Sequence, residues 1–288
     1  MISRRDFLAS IPLAASLPAL ARAATAPRNP VGAQMNAWQI NSGDFATLLR
    51  HAQDLKRLGY EGFECNVRYV EGQFDRGRKA REELRATGVR FYAPHNGLQL
   101  GLERLRRNAD GAAALGAERF VLSGGGAKIL QSDNRVDEKA LAKKVETINR
   151  LGKHCRQAGL RLVYHNHTAE FAAGGAEIEQ LLRQTDPELV WLIWDIGHAW
   201  REKTDLAAFF ARHHQRIDAL HLRDIRGDKQ VPLGQGQIDL AALADEVRKA
   251  GWSGWLITEE ESLKSTDERL VESVLQSDRL AMGKLFGV

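Results

Sequence analysis

The stretch LVYHNHTAEF (residues 162–171) places His165, His167 and Glu170 within a few residues, directly after an apolar run. Three more ionisable residues occupy comparable positions. Asp195 closes WLIWD, His221 lies in IDALHL and Glu259 closes WLITE. A carboxylate or imidazole at the end of an apolar run is costly to bury unless it is paired or bound to metal. Two carboxylates with imidazoles form a mixed oxygen and nitrogen donor set suited to one divalent ion: Mn, Co, Mg, Zn or Fe. The bland alternative is a polar layer of mutual hydrogen bonds. Glu and His are also the side chains best suited to moving protons near neutral pH, which makes Glu259, His165 and Glu170 the catalytic candidates.

The elements that must position these residues repeat along the chain. Apolar runs at 31–38, 60–66, 89–95, 118–123, 160–165, 189–195, 217–222 and 255–259 alternate with segments of helical period such as 44–58 and 137–158. LGYEG, TGVRF, LGAERF and AGLRL put a glycine where a helix should stop before the next strand. Eight strand–helix units with no long linker predict a closed (β/α)8 TIM barrel, a single α/β domain over residues 27–288. No glycine-rich turn follows the first strand, so an open dinucleotide-binding sheet is not indicated. SGGGAK (123–128) matches no phosphate loop and reads as a flexible connection.

In such a barrel the C-terminal ends of the strands share one face, and chemistry collects there. Of nine histidines, His95, His165, His167 and His221 fall at those ends, and His198 lies three residues past another. This clustering makes the polar end of VYHNH one wall of a shared pocket. Trp38 and Trp200 are candidates to cover the apolar face of a sugar, whereas Trp191 and Trp255 read as core. The run TEEES after the last strand is acidic enough to disfavour a phosphate.

The N-terminus reads differently. SRRDFL (3–8), then a short stretch rich in Ala, Pro and Ser, then Ala-Arg-Ala predict a twin-arginine export signal over residues 1–26. Its removal would leave a periplasmic protein with no membrane segment. Lys and Arg exceed Asp and Glu only by 41 to 37, without a basic block, so nucleic acid is not an expected partner. Cys65 and Cys155 read as two separate small buried residues, and no Cys-x-x-Cys occurs.

GYEGFE (59–64), YHNHTAEF (164–171), WDIGH (194–198), HLRD (221–224), GQGQID (234–239) and the Glu259 strand end together resemble the xylose isomerase-like barrel superfamily of sugar isomerases and epimerases. Inosose dehydratase and endonuclease IV belong to it as well. The resemblance implies that Asp195, His221 and Glu259 are metal ligands, and that His198 and Arg223 contact substrate beside the metal. One departure stands out. Epimerases of the superfamily end the fifth strand with a metal-bound glutamate, where this chain has His165, with Glu170 five residues on. His165 replaces the ligand, or Glu170 folds back into the site; His165 is the favoured fourth ligand.

The resulting expectation is a metal-dependent isomerase or epimerase of a small sugar or keto-sugar, working by proton abstraction beside a carbonyl through an enediolate. The same intermediate allows a keto-sugar lyase or dehydratase, toward which the histidine adds weight. A non-catalytic periplasmic sugar-binding barrel is a further alternative, and a homo-oligomer is compatible with all three. A nuclease would need more ligands, and no histidine follows HLRDIRGDK.

Overall fold

The computed structural model describes residues 28–124 and 129–288. The expected export signal and most of SGGGAK lie outside the described residues. Eight strands close the barrel: β1 (Val31–Gln34), β2 (Gly62–Asn66), β3 (Arg90–Gly97), β4 (Arg119–Ser123), β5 (Arg161–His165), β6 (Val190–Asp195), β7 (Ile217–Leu222) and β10 (Trp255–Thr258). All neighbours run parallel, in the closed order β1-β10-β7-β6-β5-β4-β3-β2. The (β/α)8 architecture expected from the alternation is therefore the fold. The connection after β7 carries a small antiparallel ribbon, β8 (Asp224–Arg226) and β9 (Lys229–Val231).

The helices lie outside: α1 (Phe45–Arg57), α2 (Gly77–Ala86), α3 (Leu102–Leu115), α4 (Glu138–Gln157), α5 (Thr168–Gln184), α6 (Ile196–Arg201), α7 (Leu206–His213), α8 (Leu240–Lys249) and α9 (Glu268–Phe286). Their starts are written locally. Asp44, Asp137, Asp205 and Asp239 each accept the backbone N–H three residues on, satisfying a donor the helix itself leaves free. The expected glycine stops are equally local, since Gly116 and Gly159 take φ of +81° and +80°, where other residues are strained. Cys65 and Cys155 are separate, buried and free. Among the described residues no helix is long and apolar enough to cross a membrane.

What positions the site is the filling of the barrel. Tyr92, Ala93, Val121, Val163, Ile193, Ala219, Trp255 and Ile257 form an interior cluster. At its N-terminal end Asp218 accepts from Tyr92 Oη (3.1 Å) and Arg119 Nε (2.8 Å) and pairs with Arg161. Side chains along a strand return to one face every second residue. The residues two positions beyond Ala93, Val163, Ile193, Ala219 and Ile257 are His95, His165, Asp195, His221 and Glu259. The apolar plug thus carries a polar layer at its C-terminal end.

The plug leaves no slack at β2. A Cβ built on Gly62 would stand 2.5 Å from Trp255 Cη2 and 3.0 Å from the Arg90 carbonyl. Gly62→Ala is expected to lower stability by about 1–3 kcal/mol, the usual cost of overpacking a filled interior. A reduced urea midpoint with an unchanged slope would show it.

Candidate metal centre

His165 ends β5, Asp195 ends β6, His221 is the penultimate residue of β7 and Glu259 directly follows β10. Glu259 extends the ladder by one step, because its N–H donates to Leu222 O at 3.1 Å. The register sets Asp195 beside His221, and His221 beside Ile257. Each of the four offers one ligand atom, and these atoms lie within 4.8 Å of one another. His165 Nε2 stands 3.6 Å from Asp195 Oδ2 and 3.5 Å from Glu259 Oε2. Ligands of one tetrahedral ion at about 2.0–2.1 Å are about 3.3–3.5 Å apart.

All four side chains are buried, with exposures of 2% or less. His165 Nε2, Asp195 Oδ2, His221 Nδ1 and Glu259 Oε2 have no aligned hydrogen-bond partner. Buried polar atoms rarely go unpartnered, so four such atoms facing one another fit a cation. Two of these atoms face each other directly, His221 Nδ1 and Glu259 Oε2 at 2.6 Å, and Arg223 neutralises both carboxylates. Its Nε lies 2.6 Å from Asp195 Oδ2 and a terminal nitrogen 2.9 Å from Glu259 Oε2, both as ion contacts. Burial alone would raise Asp195 and Glu259, but Arg223 holds both carboxyls well below the usual carboxylate range.

Behind the donors stands Glu64 of β2, wholly buried. Its Oε2 accepts from His221 Nε2 at 2.7 Å and its Oε1 from His95 Nδ1 at 2.8 Å. Burial opposes its charge, yet the two imidazoles hold it at about 2. The Glu64 and Glu259 carboxylates likewise outweigh burial at His221 and hold its proton up to about 10. A metal-bound histidine commonly donates its other N–H to a carboxylate, and Glu64 is placed for that role toward His221. Asn166 ties β5 to β6, with its amide donating to and accepting from the Asp195 backbone at 3.0 and 2.9 Å.

Two of the donors, His165 and Glu259, open onto a cavity of about 330 Å³, within the range of small-ligand sites. His95, His167 and Arg223 line it with them, as do Asn36, Asn66, Asn96, Ser123, Arg68 and Arg104. Burial and the neighbouring His165 and His198 push His167 down to about 4, so this ring is neutral at ordinary pH. His198 lines the adjoining opening with Arg223, its Nδ1 2.9 Å from the Thr168 hydroxyl. In sequence Glu64 is one of the polar residues near the end of the 60–66 run, but nothing there reveals its partnership with two imidazoles. Arg68 and Arg104 carried no signal, because they sit in a 3-10 turn and in the first turn of α3, whose approach to the cavity the strand pattern does not determine.

Three assignments are corrected. Glu170 does not reach the donors: its carboxylate accepts from Tyr164 Oη (2.6 Å) and His167 N (3.0 Å) and faces Lys144 Nζ at 3.5 Å. It caps the start of α5 and stands apart from the four donors. Trp38 does not cover the cavity, because a 3-10 turn over Met35–Ala37 ends β1 early and stacks the indole on His51 at 4.5 Å. Trp200 packs half-buried against the outer core on α6 and does not line the cavity. The acidic run is also weaker than its composition implies. Burial and then Asp278 push Glu260 up to about 9, leaving it neutral, and Glu261 is engaged by Arg223 at 3.0 Å.

Comparison with known proteins agrees with this architecture. The model of the xylose isomerase-like TIM barrel family matches residues 52–277, and the chain belongs to that family. The inosose dehydratase of Lacticaseibacillus casei is 31% identical over 134 residues, covering 40% of this chain and 45% of that enzyme, so the match spans less than half of its length. That of Bacillus velezensis is 24% identical over 252 residues, covering 77% and 84%. A D-psicose 3-epimerase solved in the presence of D-fructose superposes with a TM-score of 0.72 at 13% identity, covering 90% of this chain and all of that one.

His165→Ala and Asp195→Ala are expected to lose the metal, whereas Glu170→Gln keeps about one ion per chain. Glu64→Gln should retain the ligands and weaken affinity about 10–100-fold. Elemental analysis after dialysis and a competitive chelator titration measure both effects; full occupancy in Asp195→Ala would refute the ligand set.

Proposed function

We propose that the chain is a divalent-metal-dependent enzyme that takes a proton from the carbon beside the carbonyl of a small sugar or keto-sugar. The observation that carries this reading is the set of four buried donors that converge on one point, two of which, His165 and Glu259, line a polar cavity. When bound there by His165, Asp195, His221 and Glu259, the ion supplies positive charge opposite a carbonyl and an adjacent hydroxyl oxygen, which favours an enediolate. Arg223 holds Asp195 and Glu259 in place and closes the same wall of the cavity. His95 and His167, with the amides of Asn36, Asn66 and Asn96, can bind hydroxyl groups. Glu259 or a cavity imidazole carries the proton.

An enediolate can be reprotonated, giving isomerisation or epimerisation, or can expel a β-substituent, giving elimination. Elimination, as a keto-sugar dehydratase or lyase, is the outcome we favour. A two-base epimerisation uses a carboxylate on the fifth strand, and His165 with its Nε2 turned to the ligand set offers none. The inosose dehydratase relatives support the same choice. Epimerisation is the second reading, favoured by the family as a whole. The metal-loaded protein in D₂O is expected to incorporate deuterium beside the carbonyl of a free sugar, a 3-keto-sugar or an inosose, with loss of water from at least one. A chelator should abolish both reactions and Mn²⁺ restore them. NMR that finds neither reaction with any of the three would rule the reading out, and a sugar-binding barrel would then be preferred.

From SRRDFL and the apolar stretch after it, we also propose export of the mature protein to the periplasm. Arg4→Lys with Arg5→Lys is expected to leave a folded protein in the cytoplasm, because the arginine pair is what the export machinery reads. Normal delivery of the double variant, read by fractionation, would exclude that route.

A further inference from the structure

We infer that His95 is the side chain that carries the proton in this reaction, with Glu64 as the residue that orients it. The inference rests on the keto-sugar reading above.

The geometry begins with the loss at strand β5. His165 turns Nε2 to the ligand donors, and its Nδ1 is buried without a partner, so neither nitrogen is available to the substrate. A proton carrier opposite Glu259 has to come from another strand. β3 supplies one. His95 lies two residues beyond Ala93 on the inward face, is half-buried and lines the cavity. Its ring stands edge-on to His165 with centroids 4.9 Å apart, which puts it beside the ligand set.

Glu64 decides which nitrogen His95 presents. Its Oε1 is 2.8 Å from Nδ1, and its Oε2 is already used by His221. An ionised carboxylate only accepts, so Nδ1 carries the hydrogen and Nε2 keeps a lone pair for the cavity. A buried carboxylate behind an imidazole both selects this tautomer and stabilises the imidazolium that forms when the ring takes a proton. Neither other nearby imidazole has a carboxylate within hydrogen-bond distance of its ring: His198 Nε2 stands 3.8 Å from Asp195 Oδ2. His198 Nδ1 meets a hydroxyl, that of Thr168. His167 has the aromatic edges of His165 and His198 around it, 4.9 and 5.1 Å away.

The step balances on this one residue. The carbon–hydrogen bond beside the carbonyl breaks, its proton goes to His95 Nε2 and its electron pair forms the carbon–carbon double bond, while the carbonyl pair moves to oxygen. The carbonyl then reforms and the double bond shifts by one carbon. The β carbon–oxygen bond breaks with its pair on oxygen, and that oxygen takes the proton back from Nε2 and leaves as water. No oxidant or further reactant is needed, and Glu259 can stay with the metal throughout.

The test uses the full-length mature protein loaded with Zn²⁺ and labelled with ¹⁵N-histidine. Long-range proton–nitrogen NMR is expected to find His95 protonated on Nδ1 and bare on Nε2, with the signal assigned by its loss in His95→Ala. His95→Ala should keep the wild-type metal stoichiometry while deuterium uptake into the keto-sugar falls about 10²–10⁴-fold. Added imidazole should restore part of that rate in His95→Ala and none in His95→Gln, where the space is filled. An Nε2–H tautomer, wild-type uptake in His95→Ala, or loss of metal in that variant would each overturn the assignment. Absence of uptake by the wild-type protein overturns the keto-sugar reading itself, and this inference with it, whereas uptake that survives in His95→Ala overturns this inference alone.

Discussion

Glu64 has no exposed surface, and each of its oxygens accepts one imidazole N–H, from His95 and from His221. A charge buried that deeply persists only if every lone pair it offers is answered. Two rings from two other strands are therefore drawn to β2 and fixed in tautomer. The consequence for His221 is that Nε2 is spent and Nδ1 is left facing Asp195, Glu259 and His165. Remove that carboxylate, and both rings are free to turn. The donors would then be the same residues without a reason to converge.

Arg223 plays the complementary part on the opposite wall. Its guanidinium touches Asp195, Glu259 and Glu261, and it is nearly as buried as the carboxylates it serves. Arg suits this task because its planar fork can hold several oxygens at once, which a lysine ammonium cannot do in one plane. Its hold on Glu261, together with the withdrawal of neutral Glu260 toward Asp278, removes much of the negative field from the mouth. Exposed Arg68 also lines the cavity, while Arg104 is paired with Glu71 at 2.9 Å. A repulsion argument against anionic substrates therefore has less force in three dimensions than in sequence.

The barrel and its ligand face were legible because both obey a period of two. Apolar residues fill the interior, and the ionisable residue two steps on sits directly above. That pattern brings Val163 and His165, Ile193 and Asp195, Ala219 and His221, Ile257 and Glu259 to one layer without any knowledge of the fold. The pattern lost its hold where the backbone leaves the strand. Trp38 was displaced by a 3-10 turn whose first N–H is taken by the Gln34 side chain. Glu170 was captured by Tyr164 and Lys144, partners remote from its own segment or on its far side, and no spacing in YHNHTAEF encodes Lys144. Glu64 was legible as a polar residue near a strand end but not as the partner of two rings. A glutamate there looks the same whether it faces a metal, a histidine or water.

The exchange of glutamate for histidine at position 165 is best understood as a matter of charge in this buried layer. Glu64, Asp195 and Glu259 are three carboxylates without appreciable exposure, and Arg223 is the one guanidinium among them. Were a divalent ion held there by neutral imidazoles, as proposed, it would balance the two negative charges left. A fourth carboxylate at the end of β5 would leave one negative charge over, in a layer with little exposed surface to screen it. Such a surplus suits a site in which a carboxylate is repeatedly protonated by the substrate and must give that proton up again on the other face. A balanced layer lacks that drive. It suits a site where the ligands would keep their charges fixed and the proton would travel on a side chain of the same layer that is not a ligand, across the cavity that the histidines of β3 and β5 share.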